Sequence, residues 1–513
     1  MLNDSNRNDF LFKDIKEYNK YLLVLIGVLI IVLTGIISYN FSNNSYAKWS
    51  SNSESKNTLK LSIKQKNMDK SGANRPLLAS NMIPVYYDEA NNTWKKADDT
   101  NGDTSTKWYD YDNKMWANAV TVTSTNRTKY LNASVGTEIS MNDINTMWVW
   151  IPRYTYTYLN TNTPQSINIK FENDIESTGT IKCTDNVSGT SSTSETCTDT
   201  TNGGLKAGIS TYTHPAFWWD KNDDSIRTED EELTGIWVGK FEVSLENTCS
   251  ECNLETLRPQ IKPNAKSWES AQLATYFNGI YKMRENNNQY GFATTDETHM
   301  MKNMEWGAVT YLSHSKYGID KEVAINSVRS HTTGCGPQSE GSLSSYNSCN
   351  EYNTALGQSA STTGNVTGIY DMCGGTYEYL MADMVYSNGQ MMSGAELHRN
   401  FHSAFTGYLY TGGYTTGTYD FPSKRYYDKY SYGTVNTQYT RGKLGDATKE
   451  MAPTGTNDGS WYADNAIFPS SELSWFVRGG TSASSTQAGL FFFESDDGHP
   501  TNVSSRAVIS NLK

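Results

Sequence analysis

Two residue patterns in this chain have the types and spacing to do chemistry: oxygen donors set two apart, and thiols in close pairs. Asp220-x-Asn222-x-Asp224, with Glu231 further along the loop, alternates carboxylate and amide donors as a single loop does when it encircles a hard cation, calcium above all. The glycine that lets such loops turn sharply at their sixth position is missing, so a solvated acidic loop competes with the metal reading. Asp99, Asn101, Asp103 and Asp110 form a weaker copy with the same gap. The cysteines fall as Cys183 with Cys197, Cys249 with Cys252 and Cys335 with Cys349, leaving Cys373 over. Local pairing into three disulfides suits an oxidising compartment, and the Ser/Thr/Gly-rich loops 183–197 and 335–349 need such clips to hold shape. Cys249-x-x-Cys252 also reads as half of a zinc site, but no second CxxC or His pair lies near it to complete four ligands.

These groups must be positioned by a chain of 513 residues with 43 Lys and Arg against 55 Asp and Glu, a net charge of −12. That length allows roughly three folded units. No dense Lys/Arg run builds a basic stripe, which excludes nucleic acid as the expected partner. Charged residues make up only 19% while aromatics reach 12%, a mix that suits a β-rich extracellular protein better than a helical cytosolic enzyme. Residues 21–38 carry no charge and are long enough to cross most of a bilayer, with Lys13, Lys16 and Lys20 before them. The expectation is a single-pass cell-membrane protein with its bulk outside; the alternative is secretion after cleavage near Ala47, behind Ser45-Tyr46-Ala47. The organisation read from the sequence is a cytoplasmic leader (1–20), a transmembrane anchor (21–41), a flexible stalk (42–60), a small β-rich module (61–144) and an α+β domain (145–513). In that domain, helical spacing recurs over 267–283 behind a Ser267 cap and over 296–313 behind Thr295 or Asp296.

Five blocks in the larger domain carry a resemblance: GIWVGKFEVS (235–244), KSWESA (266–271), HMMKNMEWGAV (299–309), GIYDMCGGTYEYL (368–380) and FVRGGTS (476–482). In sequence and order they resemble the formylglycine-generating enzyme family, the sulfatase-modifying-factor domain. The resemblance implies a C-type-lectin-like fold with much irregular loop. It also implies a calcium site at Asp371, Gly374, Thr376 and Glu378, for which a helix-cap Asp and a solvated Glu are the alternative. Gly375 departs from the family's Asn, and Tyr377 and Tyr379 from its Trp residues. The oxidases of that family bind copper through a Cys pair after the Arg-Gly-Gly block, yet Gly480 to Arg506 contains no cysteine. No copper is expected, and His499 alone does not provide a metal centre.

Similar blocks occur in the diversity-generating-retroelement variable proteins of bacteria and phages, which present a ligand surface just after Arg-Gly-Gly. That likeness implies a ligand face on 481–502, drawn from Thr481, Ser482, Ser484, Ser485, Gln487, Phe492, Glu494, Asp496, His499 and Asn502. Alternation along a strand through Phe491, Phe492 and Phe493 sends at least one ring outward; the same alternation leaves about half of these positions to a closing strand of the core. The functional expectation is a membrane-anchored bacterial cell-surface binding protein that holds an extracellular glycan or protein ligand without catalysis. The alternative is a surface enzyme of the same family with altered active-site ligands.

Overall fold

The computed structural model describes residues 45–50, 60–65, 70–101, 105–179, 210–224, 227–247, 257–285, 287–385, 422–431, 442–453, 459–470, 473–496 and 502–510. The chain divides into a unit of residues 1–67 and a unit of residues 68–513. The first contains an antiparallel hairpin, Ser45–Ser50 against Lys60–Gln65. A strand thus stands within the stretch read as a flexible stalk.

The single-pass membrane placement is corrected. No helix among the described residues is long and apolar enough to cross a membrane, and the leader 1–20 and the apolar segment 21–41 lie outside those residues.

In the second unit, two sheets carry most of the core. Their strands in chain order are β1 (Ile83–Asp88), β2 (Thr93–Lys96), β3 (Asn118–Val122), β4 (Ile144–Pro152), β5 (Gly235–Gly239), β6 (Thr298–Met300), β7 (Tyr377–Val385), β8 (Asp428–Ser431), β9 (Trp475–Arg478), β10 (Phe493–Asp496), β11 (Val503–Ser505) and β12 (Ala507–Ile509). The larger sheet has the order β6-β12-β5-β4-β3-β1-β2, antiparallel throughout. Its middle strand, β4, reads INTMWVWIP and is buried at every position, as a near-continuous apolar run must be when both faces of its sheet are covered. The smaller sheet has the order β8-β7-β9-β10; β7 takes β8 and β11 as parallel partners and β9 as an antiparallel one.

The expected fold class, an α+β lectin-like domain behind a membrane helix and a separate β module, is therefore corrected. The architecture is mixed α/β, with many strands in antiparallel sheets and few helices. Strands β1 to β3, read as part of the separate module, instead complete the large sheet: Asn118 stands opposite Val149, and the Thr121 and Thr146 hydroxyls bond at 2.5 Å. The reason is the aromatic load of the hairpin β1–β2, which needs partners from elsewhere in the chain. The Trp94 indole donates to Tyr352 Oη at 3.0 Å, and Tyr87 packs edge-on against the same tyrosine.

The helices are α1 (Ser124–Leu131), α2 (Leu273–Tyr281), α3 (Asn303–Ser313) and the short α4 (Ala355–Ser359). Helix α2 starts behind Gln272 rather than Ser267, because the Ser267 hydroxyl is spent on Glu242. Helix α3 starts behind Lys302, whose N–H is held by Glu305 at 2.8 Å; the preceding stretch forms edge strand β6.

Candidate functional site

The five sequence blocks, scattered over residues 235–482, meet in one core. The Tyr370 N–H donates to Lys240 O at 2.8 Å, Gly374 N–H to Gly479 O at 3.1 Å, and Met301 N–H to Arg506 O at 2.9 Å. Trp306 of α3 donates its indole N–H to Leu490 O at 2.9 Å. Glu378 lies across from Arg478 in the β7–β9 pair.

At their centre sit Glu242, Asp371, Glu378 and Arg506, all buried. Arg506 bonds Glu378 through Nε at 2.9 Å and through Nη2, while its Nη1 and Nη2 also donate to Gly239 O and Tyr370 O. Asp371 Oδ1 accepts from Asn326 Nδ2 and Gly334 N, both at 2.8 Å, and Oδ2 accepts from Gly334 N at 3.0 Å. Burial pushes the Glu242 carboxyl well above the usual range, and the negative charges of Asp371 and Glu378 push it further. Glu242 accepts from Ser267 Oγ and from Thr376 N at 3.0 Å.

The residues at the calcium site implied by the resemblance do not fit that ion. Calcium needs about six to eight free oxygen ligands. Here both oxygens of Glu378 are bonded to a guanidinium, and those of Asp371 to N–H groups. Gly374 and Gly375 follow Asp371 at φ 78° and 72°. A Cβ at Gly375 would stand 2.7 Å from Glu242 Oε1, so glycine in place of the family's Asn is what lets Glu242 reach the cluster.

The ligand segment divides sharply. Thr481 and Ser482 are buried, as are Phe491, Phe492 and Phe493. The expectation that at least one of these three rings faces outward, and with it Phe492 as a ligand-face residue, is corrected: regular strand starts only at Phe493, so period-two alternation does not apply to the turn before it. Phe491 packs on Trp461 at 4.8 Å, Phe492 on Tyr377 at 5.6 Å and Phe493 on Phe468 at 6.0 Å. Ser485 and Gln487 are exposed, while Ser484, Glu494 and Asp496 are half-buried. Ser484 Oγ accepts from Thr481 N at 2.9 Å, and Asp496 accepts from Tyr379 Oη. Asn502 is exposed and its carbonyl accepts from Tyr377 N at 3.0 Å. His499 lies outside the described residues.

Asp220, Asp224 and Glu231 do come together, with ligand oxygens all within 4.8 Å of one another. Asn222 donates to Asp224 Oδ2 at 2.9 Å, and Arg425 braces the loop from another segment by bonding Asp223 and Lys221 O. An all-oxygen donor set has the chemistry of a hard-cation site. Glu231 already accepts from Lys221 N at 3.1 Å, Thr228 N at 3.2 Å and Trp218 Nε1 at 3.3 Å, and Asp220 Oδ1 from Asp224 N at 3.1 Å; none of these donors is a cation, as Arg506 is for Glu378. The weaker copy does not assemble. Asn101 turns its oxygen to Trp108 N at 2.6 Å and Tyr109 N at 3.2 Å, Asp110 pairs with Lys107, Asp99 faces Arg75, and Asp103 lies outside the described residues.

Cys335 and Cys349 form a disulfide, and Cys373 is a buried thiol. Burial raises its pKa well above the usual range, which keeps it from acting as a thiolate. Cys183, Cys197, Cys249 and Cys252 lie outside the described residues. Sequence reasoning missed Glu242 and Arg506 as members of the central cluster, although Glu242 stands inside a quoted block. It also missed Lys240, a fully buried lysine whose Nζ donates to Asn118 Oδ1 at 2.9 Å and to Val366 O and Gly368 O at 2.7 Å, and whose pKa burial pushes well below the usual value. A lysine inside an otherwise apolar strand end was the available signal.

No protein-family model matches the chain, and no curated protein matches it.

Proposed function

We propose that the chain is a non-catalytic binding protein, holding a glycan or a protein on the surface made by Ser484, Ser485, Gln487, Glu494 and Asp496. One observation carries this reading: polar side chains, exposed at Ser485 and Gln487 and half-buried at Ser484, Glu494 and Asp496, are mounted directly on a buried frame. Arg478 anchors that frame, donating to Asn303 Oδ1, Asp446 O, Ala447 O and Leu490 O. A rigid frame lowers the entropy lost on binding, which is how a polar surface gains affinity. Among the described residues, the free thiol is Cys373, buried and unsuited to the copper chemistry of the family's oxidases. Calcium, in this reading, belongs to the loop of Asp220, Asp224 and Glu231.

The test is retention of the full chain on arrays of glycans and of candidate protein ligands, repeated with Gln487→Ala and Glu494→Ala. Retention that falls in either variant supports the proposal. Retention unaffected by both, or formylglycine production from a cysteine-containing sulfatase peptide supplied with copper, contradicts it.

A further inference from the structure

His314 caps the C-terminus of helix α3, and its buried ring has polar neighbours at its two nitrogens only. Trp461 and Phe491 pack on the ring, with centroids at 5.1 and 5.6 Å. Tyr462 Oη lies 2.6 Å from Nε2, a close hydrogen bond. Asp320 Oδ1 lies 3.8 Å from Nδ1, too far for one, and both of these atoms are buried without a hydrogen bond.

The charges around this group are all negative. Asp320 faces Nδ1, and Glu322 and Asp464 act with it on Tyr462. The Gln165 carbonyl also favours a charged ring, as does the C-terminal end of the helix. Burial opposes them and holds the imidazole below its ordinary 6.5, so that at pH 7 the ring is neutral with one proton to place. The Asp320 carboxylate draws that proton to Nδ1, which leaves Nε2 to accept from the Tyr462 hydroxyl. A second proton enters at Nε2. Two hydrogens do not fit between Nε2 and Oη, so Nε2–H then donates to Oη and the hydroxyl hydrogen turns away from the ring. The phenol keeps its proton throughout, because burial pushes Tyr462 up to about 12.

We infer that His314, Asp320 and Tyr462 form a proton-operated switch, in which charging the imidazole draws Nδ1–H onto Asp320 and reverses the hydrogen bond to Tyr462, releasing its O–H as a donor. A proton suits the gap better than zinc, which takes three or four protein ligands; among the described residues no third His, Cys, Asp or Glu joins these two. Tyr462 is half-buried, and its turn is tied to the binding surface by Asn465 N–H, which donates to Gln487 O at 3.1 Å. The released O–H stands at the edge of that surface; its use by a ligand rests on the binding reading, whereas the switch does not.

The experiment is a pH titration of the full chain, labelled at histidine ring nitrogens and tyrosine Cζ, followed by NMR. His314 is assigned from the signal lost in His314→Gln and Tyr462 from that lost in Tyr462→Phe, with circular dichroism to check that each variant is folded. The expected result has three parts: a neutral His314 protonated at Nδ1, a Tyr462 resonance that moves with the His314 midpoint, and a midpoint lowered by about one pH unit or more in Asp320→Asn. A neutral ring protonated at Nε2, a Tyr462 resonance indifferent to pH, or the same midpoint in Asp320→Asn overturns the inference. So does a shift of the His314 signal by one equivalent of zinc at pH 7, which would make the gap a metal site.

Discussion

Arg506 and Glu378 form a fully buried ion pair at the junction of the two sheets, with the guanidinium bonded to both carboxylate oxygens. The same arginine caps the carbonyls of Gly239 and Tyr370, so one side chain joins strand β5 to the 368–380 block. Removing one partner of such a pair leaves the other charge buried without compensation.

Glu378→Gln is therefore expected to destabilise the protein by about 3–5 kcal/mol. The loss should be the same with calcium and with chelator, because the acceptors serve Arg506 rather than an ion. Chemical denaturation of wild type and variant in both conditions checks this. A calcium-dependent difference between them would restore a metal role for Glu378.

Calcium should instead act through the Asp220 loop. An ion bound only by the folded chain stabilises it by mass action, about 2.7 kcal/mol at a hundredfold excess over Kd. Added calcium should raise Tm in the wild type and not in Glu231→Gln, and magnesium should do less because it demands a tighter octahedral geometry. An unchanged wild-type Tm across millimolar calcium would remove the ion from the account.

Glu450 predicts a pH dependence. Buried beside Tyr156, Tyr311 and Asp446, its carboxyl is pushed up to about 7, burial being the main cause. Below its ordinary value of 4.5 the group is neutral in both folded and unfolded chains and the full stability is present. Between that value and about 7 the unfolded chain ionises first, so stability falls as pH rises through this window and then levels. The loss is on the order of 3 kcal/mol, and Glu242, Asp383 and Asp464, raised by burial as well, act in the same direction. Melting curves from pH 5 to 8 should show a slope that Glu450→Gln flattens; an equal slope in the variant would assign the dependence to other groups.

Local patterns were legible in this sequence, and partnerships across it were not. The short spacing of Cys335 and Cys349 announced a disulfide that the structure contains. Membership of β1 to β3 in the large sheet depended on Tyr352, far downstream, which no local period reports. Phe492 was misplaced for a local reason, since a single turn residue before a strand defeats alternation. The role of Lys240 as a buried tie was invisible because its acceptors at 118, 366 and 368 become neighbours only on folding.

Separation of binding from stability on the two sides of the 481–496 segment is the most direct test of the central claim. Phe492, packed on Tyr377 and buried, should cost about 3–5 kcal/mol of stability on change to alanine. Exposed Gln487 should cost no more than about 0.5 kcal/mol. The measurement is ligand affinity and unfolding free energy for Phe492→Ala and Gln487→Ala of the full chain, with the ligand retained on the arrays. A binding surface on the buried frame predicts that Gln487→Ala loses affinity by about tenfold at unchanged stability, while the folded fraction of Phe492→Ala keeps its stoichiometry. Full affinity in Gln487→Ala, with loss only in proportion to unfolding in Phe492→Ala, would contradict it.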